Sequence, residues 1–200
     1  MHNALQYFTT CTSSILCSAA FAVIVGMIFS RYTGRDPSWI IIAMSFVPDL
    51  SYIYYTFYMN FPVIPHVYIS HSSMHSILSL VLISLLIAGV LIPFGIRLFD
   101  SLLCSALGIA AHFVEDALVY DNAYAFFWPI TQQEYGIGIL QITYKDLNVF
   151  GIANSAVLGV GIVLLIGALL IRTHIEGIQW WRVFLQGGRG GQQSLVKVRE

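Results

Sequence analysis

The chain has 200 residues, 58% of them hydrophobic and 10% charged, with a formal net charge of −1. Soluble domains carry about 25% charged residues, so this composition cannot supply the polar surface of a water-soluble globule, and a mean hydropathy of +0.78 points to a membrane as solvent. So small a net charge gives no footing for nucleic acid, and none is expected as a partner.

A bilayer crossing takes roughly 20 mostly apolar residues, and five segments qualify: about 5–29, 38–60, 72–96, 99–119 and 149–172. The first has neither the basic leader nor the small-residue cleavage site of a signal peptide, and it is long enough to span. The expected fold class is therefore all-α: a polytopic membrane helix bundle of about five transmembrane helices. Cys11, Cys17 and Cys104 sit within these segments without metal-type spacing and read as buried thiols.

Orientation follows from the basic residues, which favour the cytoplasmic side. Arg31 and Arg35 lie between spans one and two, Arg97 lies between three and four, and Arg172, Arg182, Arg189, Lys197 and Arg199 follow span five; with alternating spans only Lys145 falls on the opposite side. An N-terminus outside and a cytoplasmic C-terminus are expected.

Span two carries Asp49 near its middle, behind Pro48, which lacks a backbone donor and should open the helix there. Tyr52, one turn on, is a candidate substrate contact. His66 follows Pro65 in a short outer loop. Span three opens with His71, Ser72 and His75; the histidines, four residues apart, should project from one helix face. Span four carries His112, Glu115 and Asp116, with both carboxylates within one turn of the imidazole. At a rise of about 1.5 Å per residue, Asp49 lies roughly 16 Å, His112 roughly 18 Å and Asp116 roughly 24 Å from the cytoplasmic face. His71 and His75 occupy the first two turns from the outer face, so all these groups share the outer half of the membrane.

The loop over 120–148, with Tyr120, Tyr124, Phe126, Phe127, Trp128 and Pro129, is too apolar for a solvated linker. It is expected to be a structured outer loop that lies on the membrane or folds back as a lid, with Trp128 an interface anchor or substrate contact. After span five, Trp180, Trp181, Arg182, Val183 and Phe184 suit a short interfacial helix. The membrane domain is then 1–186, and 187–200, opening on Gly187-Gly188-Arg189-Gly190-Gly191, is a flexible tail.

Ionisable groups inside spans are costly and point to function. Asp49, His66, His71, His75, His112 and Asp116 form a nitrogen/oxygen donor set suited to zinc, with manganese and iron as alternatives. A divalent ion explains how several acids tolerate burial, because its charge offsets theirs. Glu115 and Asp116 are the candidate catalytic groups, with Glu115 placed to orient an imidazole or move a proton.

At these residues the chain resembles the membrane-bound metal-dependent hydrolases, distant relatives of zinc-dependent phospholipases C and fungal single-strand nucleases. The resemblance rests on Pro48-Asp49, on His66 followed by His71-Ser72, on His112 with Asp116, and on Trp128-Pro129, in that order from about residue 45 to 130. It implies hydrolysis of a phosphoester, lipid-borne if site depth is a guide, by metal-activated water at the outer surface, with Ser72 near the substrate. The chain departs from the pattern at Leu50-Ser51-Tyr52, where Asp-His is usual, and at Val67, which implies either fewer ions, with His75 or Glu115 substituting, or an inactive site. Two other readings fit the same residues: a non-enzymatic protein that binds or transports a metal ion or proton, and a structural bundle whose polar groups only fix helix contacts. Membrane lipids are the expected surroundings in each case.

Overall fold

The computed structural model describes residues 2–51, 71–121, 124–139 and 150–181. Among these residues the regular structure is helical, with one isolated antiparallel bridge between Tyr124 and Tyr135. The helices are α1 (His2–Thr33), α2 (Ser38–Ser45), α3 (His71–Met74), α4 (Ile77–Leu91), α5 (Leu98–Val119) and α6 (Phe150–Glu176), with a 3-10 turn over Ile92–Phe94 after α4. Leu16–Thr33, Ile77–Phe94, Leu98–Val119 and Leu158–Glu176 are long and apolar enough to cross a membrane. They correspond to four of the five expected spans. The second, about 38–60, lies partly outside the described residues, as do Tyr52, His66 and the tail 187–200.

The burial pattern identifies the solvent. On α4 the buried residues are Ser84 and Ala88, while Leu82, Leu85, Leu86 and Val90 are exposed. A water-soluble helix buries its large apolar side chains and exposes its polar ones. Here small residues face the neighbouring helix and large apolar ones face outward, as lipid-facing helices do. The chain is a membrane helix bundle.

α5 is central. It packs on α2 and α4, while α1 packs on α2 and, along a longer interface, on α6. Ile40, Ile41 and Met44 of α2 meet Cys104, Ile109 and Phe113 of α5 and Ala22 of α1 in one buried cluster. Close approach of α2 and α5 depends on Gly108, where a Cβ would collide with the Ile41 carbonyl oxygen and stand 2.9 Å from the Met44 Cβ.

Two interruptions of the helical ladder shape one end of the bundle. α2 ends at Ser45, and Phe46–Asp49 form tight turns in which the N–H groups of Phe46, Val47 and Asp49 donate to carbonyls three residues back. This is the expected opening at Pro48, which has no N–H to continue the helix. The other interruption departs from expectation: α3 stops at Met74, and α4 starts afresh at Ile77, capped by Ser76, whose hydroxyl accepts from the Ser79 N–H at 3.2 Å. The expectation that His71 and His75 share one face of a continuous helix is corrected by this break. Serine at an N-cap offers the backbone a side-chain partner in place of the preceding turn, and with Ser73 and Ser79 nearby the serine-rich stretch forms two short bonded units. The Ser76 hydroxyl donates to the Ser73 carbonyl and that of Ser79 to the Met74 and Ser76 carbonyls.

At the opposite end of the bundle a charged network ties α6 to α1 and α2. Arg172 is 1% exposed, and its guanidinium donates to Asp36 at 2.6 Å, to Glu176 at 2.8 Å and to the Ser38 hydroxyl at 3.3 Å. Ser30 of α1 donates to Glu176 at 2.9 Å, and Trp180 lies over the guanidinium at 4.4 Å. Glu176 is half-buried in this network, while His174 is exposed. Helical geometry resumes at Trp180 and Trp181 after Gly177, and the rest of the expected interfacial helix lies outside the described residues.

Candidate metal centre

The two interruptions and one continuous helix bring four side chains together. Asp49 sits in the turn after α2, His75 in the break before α4, and His112 and Asp116 lie one turn apart on α5. The imidazoles face each other, with Nε2 of His75 3.3 Å from Nε2 of His112. Oδ2 of Asp116 is 3.3 Å from each of these nitrogens. Oδ1 of Asp49 is 3.6 Å from the His112 nitrogen and 4.0 Å from that of His75. Asp49, His75 and His112 form the group with the separations of a metal-ligand set. His75 and His112 are fully buried, Asp116 nearly so, and the Asp49 side chain keeps 22% of its surface.

The chemistry of this arrangement is an excess of acceptors. A single proton between two facing imidazole nitrogens satisfies both. It leaves buried Asp116 Oδ2 beside the same two nitrogens at 3.3 Å but with no well-aligned hydrogen bond among the described residues. A buried carboxylate oxygen without a donor is destabilising, unless a cation supplies the missing charge. The spacing fits the same requirement. Tetrahedral coordination with bonds of about 2.0–2.1 Å places neighbouring donor atoms about 3.3–3.4 Å apart. The two nitrogens and Asp116 Oδ2 stand at 3.3 Å on every edge, and Asp49 lies slightly outside that distance.

The loop over 120–139 folds back over this end of the bundle, as the lid expectation has it. The Tyr124 ring stacks on His75 at 3.9 Å between centroids, and Phe113 contacts both His75 and Phe126. The Ile77 N–H donates to the Phe126 carbonyl at 2.8 Å, so the loop bonds to the first turn of α4. Its returning segment closes on the end of α5 through the Ile137 N–H, which donates to the Ala117 carbonyl at 2.6 Å. Gly138 is required there: its φ is +61°, and a Cβ would stand 2.6 Å from Asp121 backbone atoms.

The other predicted residues are distributed as follows. Glu115 is half-buried on α5 outside the four-residue cluster, close enough to Cys17 of α1 for its charge to act on that thiol. Trp128 is partly exposed beside exposed Phe127 and Ile130, as suits an interface anchor. His71 and Ser72 belong to α3, and His66 and Tyr52 lie outside the described residues. Sequence reasoning missed Tyr124, one of several loop aromatics with no distinguishing signal. It also missed the Arg172 network, of which only Arg172 and Glu176, four apart on a helix, were legible.

Fold and site together define a class: a polytopic membrane helix bundle that buries a histidine–carboxylate cluster where helix ends meet. Within it, the model of the YdjM inner membrane protein family matches residues 9–186, and the chain belongs to that family. No curated protein and no solved structure matches it. The family match corrects the resemblance to the membrane-bound metal-dependent hydrolases. The motifs behind that resemblance are short and span under half the chain, and a His-x-x-x-Asp pair is what any helical ligand set needs, so it marks ligand geometry rather than kinship. The expectation of a phosphoester substrate rested on the resemblance and goes with it.

Proposed function

We propose that this membrane protein is a metalloprotein in which Asp49, His75, His112 and Asp116 hold one divalent ion, zinc before manganese or iron. The observation that carries the reading is the triangle of buried donor atoms, Asp116 Oδ2 and the two imidazole nitrogens, 3.3 Å apart on each edge and without a well-aligned hydrogen bond to that oxygen among the described residues. Two imidazoles and carboxylates form a donor set for zinc and its neighbours, and the larger Asp49 separations leave room on that side for a further ligand.

A divalent ion held by these side chains would supply Lewis acidity, which at such centres lowers the pKa of water from about 15.7 toward 7 and would suit hydrolysis. The chain's own part is to keep the donors in place and accept the water's proton. Glu115, three residues from His112 and outside the donor set, is the candidate acceptor. The distribution of arginines favours a cytoplasmic Arg172 end and an extracytoplasmic metal end. That orientation would present the site to the outer leaflet and its lipids.

The test is a titration of chelator-treated protein with Zn²⁺, Mn²⁺ and Fe²⁺, followed by assay on a panel of chromogenic carboxylic and phosphoric esters. One ion per chain, lost in both His75→Ala and His112→Ala, supports the centre, and metal-restored turnover supports hydrolysis. Undiminished binding in both variants refutes the site. Ion flux into proteoliposomes without turnover would favour the carrier reading over the hydrolytic one.

A further inference from the structure

His75 is a donor that regular helix does not hold. It lies in the interruption between α3 and α4, where no helical ladder fixes the direction of its side chain. The ring is nonetheless fully buried, stacked on Tyr124 at 3.9 Å and 23° and near-parallel to Phe113 at 5.8 Å and 30°. Tyr124 is in turn tied, through Phe126, to the backbone just beyond His75. Its carbonyl accepts from the N–H groups of Phe126 at 3.0 Å and Tyr135 at 3.1 Å, and the Phe126 carbonyl accepts from Ile77, two residues beyond His75.

We infer that Tyr124 is a positioning residue of the metal centre, its ring face setting the plane of the His75 imidazole so that Nε2 points at His112 and Asp116. The inference rests on the metal reading above. The stack also does more than fill space. An aromatic face carries negative charge density, and an imidazole that has given its lone pair to a cation is electron-poor, so the contact strengthens when the ion binds. Tyr124 therefore favours the loaded site over the empty one. Among the ring contacts of the loop, that of Tyr124 is made directly with a donor imidazole.

The experiment is a Co²⁺ titration of full-length protein in detergent, read by the cobalt d–d spectrum. Tyr124→Leu keeps apolar bulk while removing the π face, and Tyr124→Phe keeps the face. His112→Ala tests the site itself. Tyr124→Leu is expected to weaken Co²⁺ binding by about three- to tenfold, the range of an aromatic pair contact, and to shift the d–d bands as one ligand reorients. Tyr124→Phe restores both. Wild-type affinity and spectrum in Tyr124→Leu, with binding abolished in His112→Ala, overturns the inference and leaves the metal site standing. Binding retained in His112→Ala overturns both. A Tyr124→Phe protein as impaired as Tyr124→Leu also overturns the inference, because the ring face would then not be what acts.

Discussion

Replacing Arg172 with methionine, which is of similar length, removes the charge and keeps the bulk. The change strands Asp36, which is 2% exposed. Its carboxylate loses the guanidinium contact at 2.6 Å and retains the Ser38 N–H at 3.0 Å and the Ser38 hydroxyl at 2.5 Å on its other oxygen. Glu176 loses its partner at 2.8 Å but keeps Ser30 and is itself part-exposed, so the larger penalty falls on Asp36. Removing one partner of a buried ion pair costs about 3–5 kcal/mol because the other charge stays desolvated and uncompensated. Reversible unfolding in mixed detergent–SDS micelles, followed by circular dichroism, should show Arg172→Met destabilised by about that amount. The double variant Asp36→Asn/Arg172→Met removes the stranded charge while keeping an acceptor for Ser38, and should recover more than half of the loss. A single variant within about 0.5 kcal/mol of wild type, or a double variant no better than the single, would refute the assignment of stability to this pair.

The Arg35–Asp100 bridge at 3.1 Å keeps 39% of its arginine side chain exposed and so partly solvated, so Arg35→Ala should cost about 1 kcal/mol in the same assay, well below Arg172→Met. Gly108→Val drives a side chain into the Ile41 carbonyl and the Met44 Cβ. The strain should cost about 1–3 kcal/mol and, by displacing α2 and with it the Asp49 turn, weaken ion binding measured by calorimetry; unchanged binding would show that the site tolerates movement of α2. Chelation should lower the thermal midpoint, and Zn²⁺ at about 100 times its Kd should restore about 2.7 kcal/mol. Asp116→Asn should abolish most of that Zn²⁺ effect while moving the apo midpoint little, because the buried oxygen stands 3.3 Å from two imidazoles without a well-aligned hydrogen bond among the described residues.

The helices were legible because the apolar runs are long, and residue rise alone put Asp49, His112 and Asp116 toward the same end of the bundle, where they meet. Pro48 announced the opening of the second segment because a missing N–H is a fact of covalent structure. The interruption at His75 is not legible in the same way. The four-residue spacing that places two histidines on one helix face says nothing about whether the helix continues, and here Ser76 caps a new one. His75 therefore enters the cluster through the break, where spacing treats His71 and His75 alike. The Arg172 network escaped because Asp36 is remote in sequence, and a basic residue at the end of an apolar run also carries topological information. The family resemblance failed for a related reason: residues chosen by ligand geometry recur wherever that geometry is needed.

The measurement closest to the centre of the account is an anomalous difference map from crystals of protein grown with zinc, recorded on both sides of the zinc absorption edge. The account predicts one peak bounded by the imidazoles of His75 and His112 and the carboxylate of Asp116, with Asp49 alongside. Zinc density elsewhere, with these four side chains bonded only to one another, would contradict it.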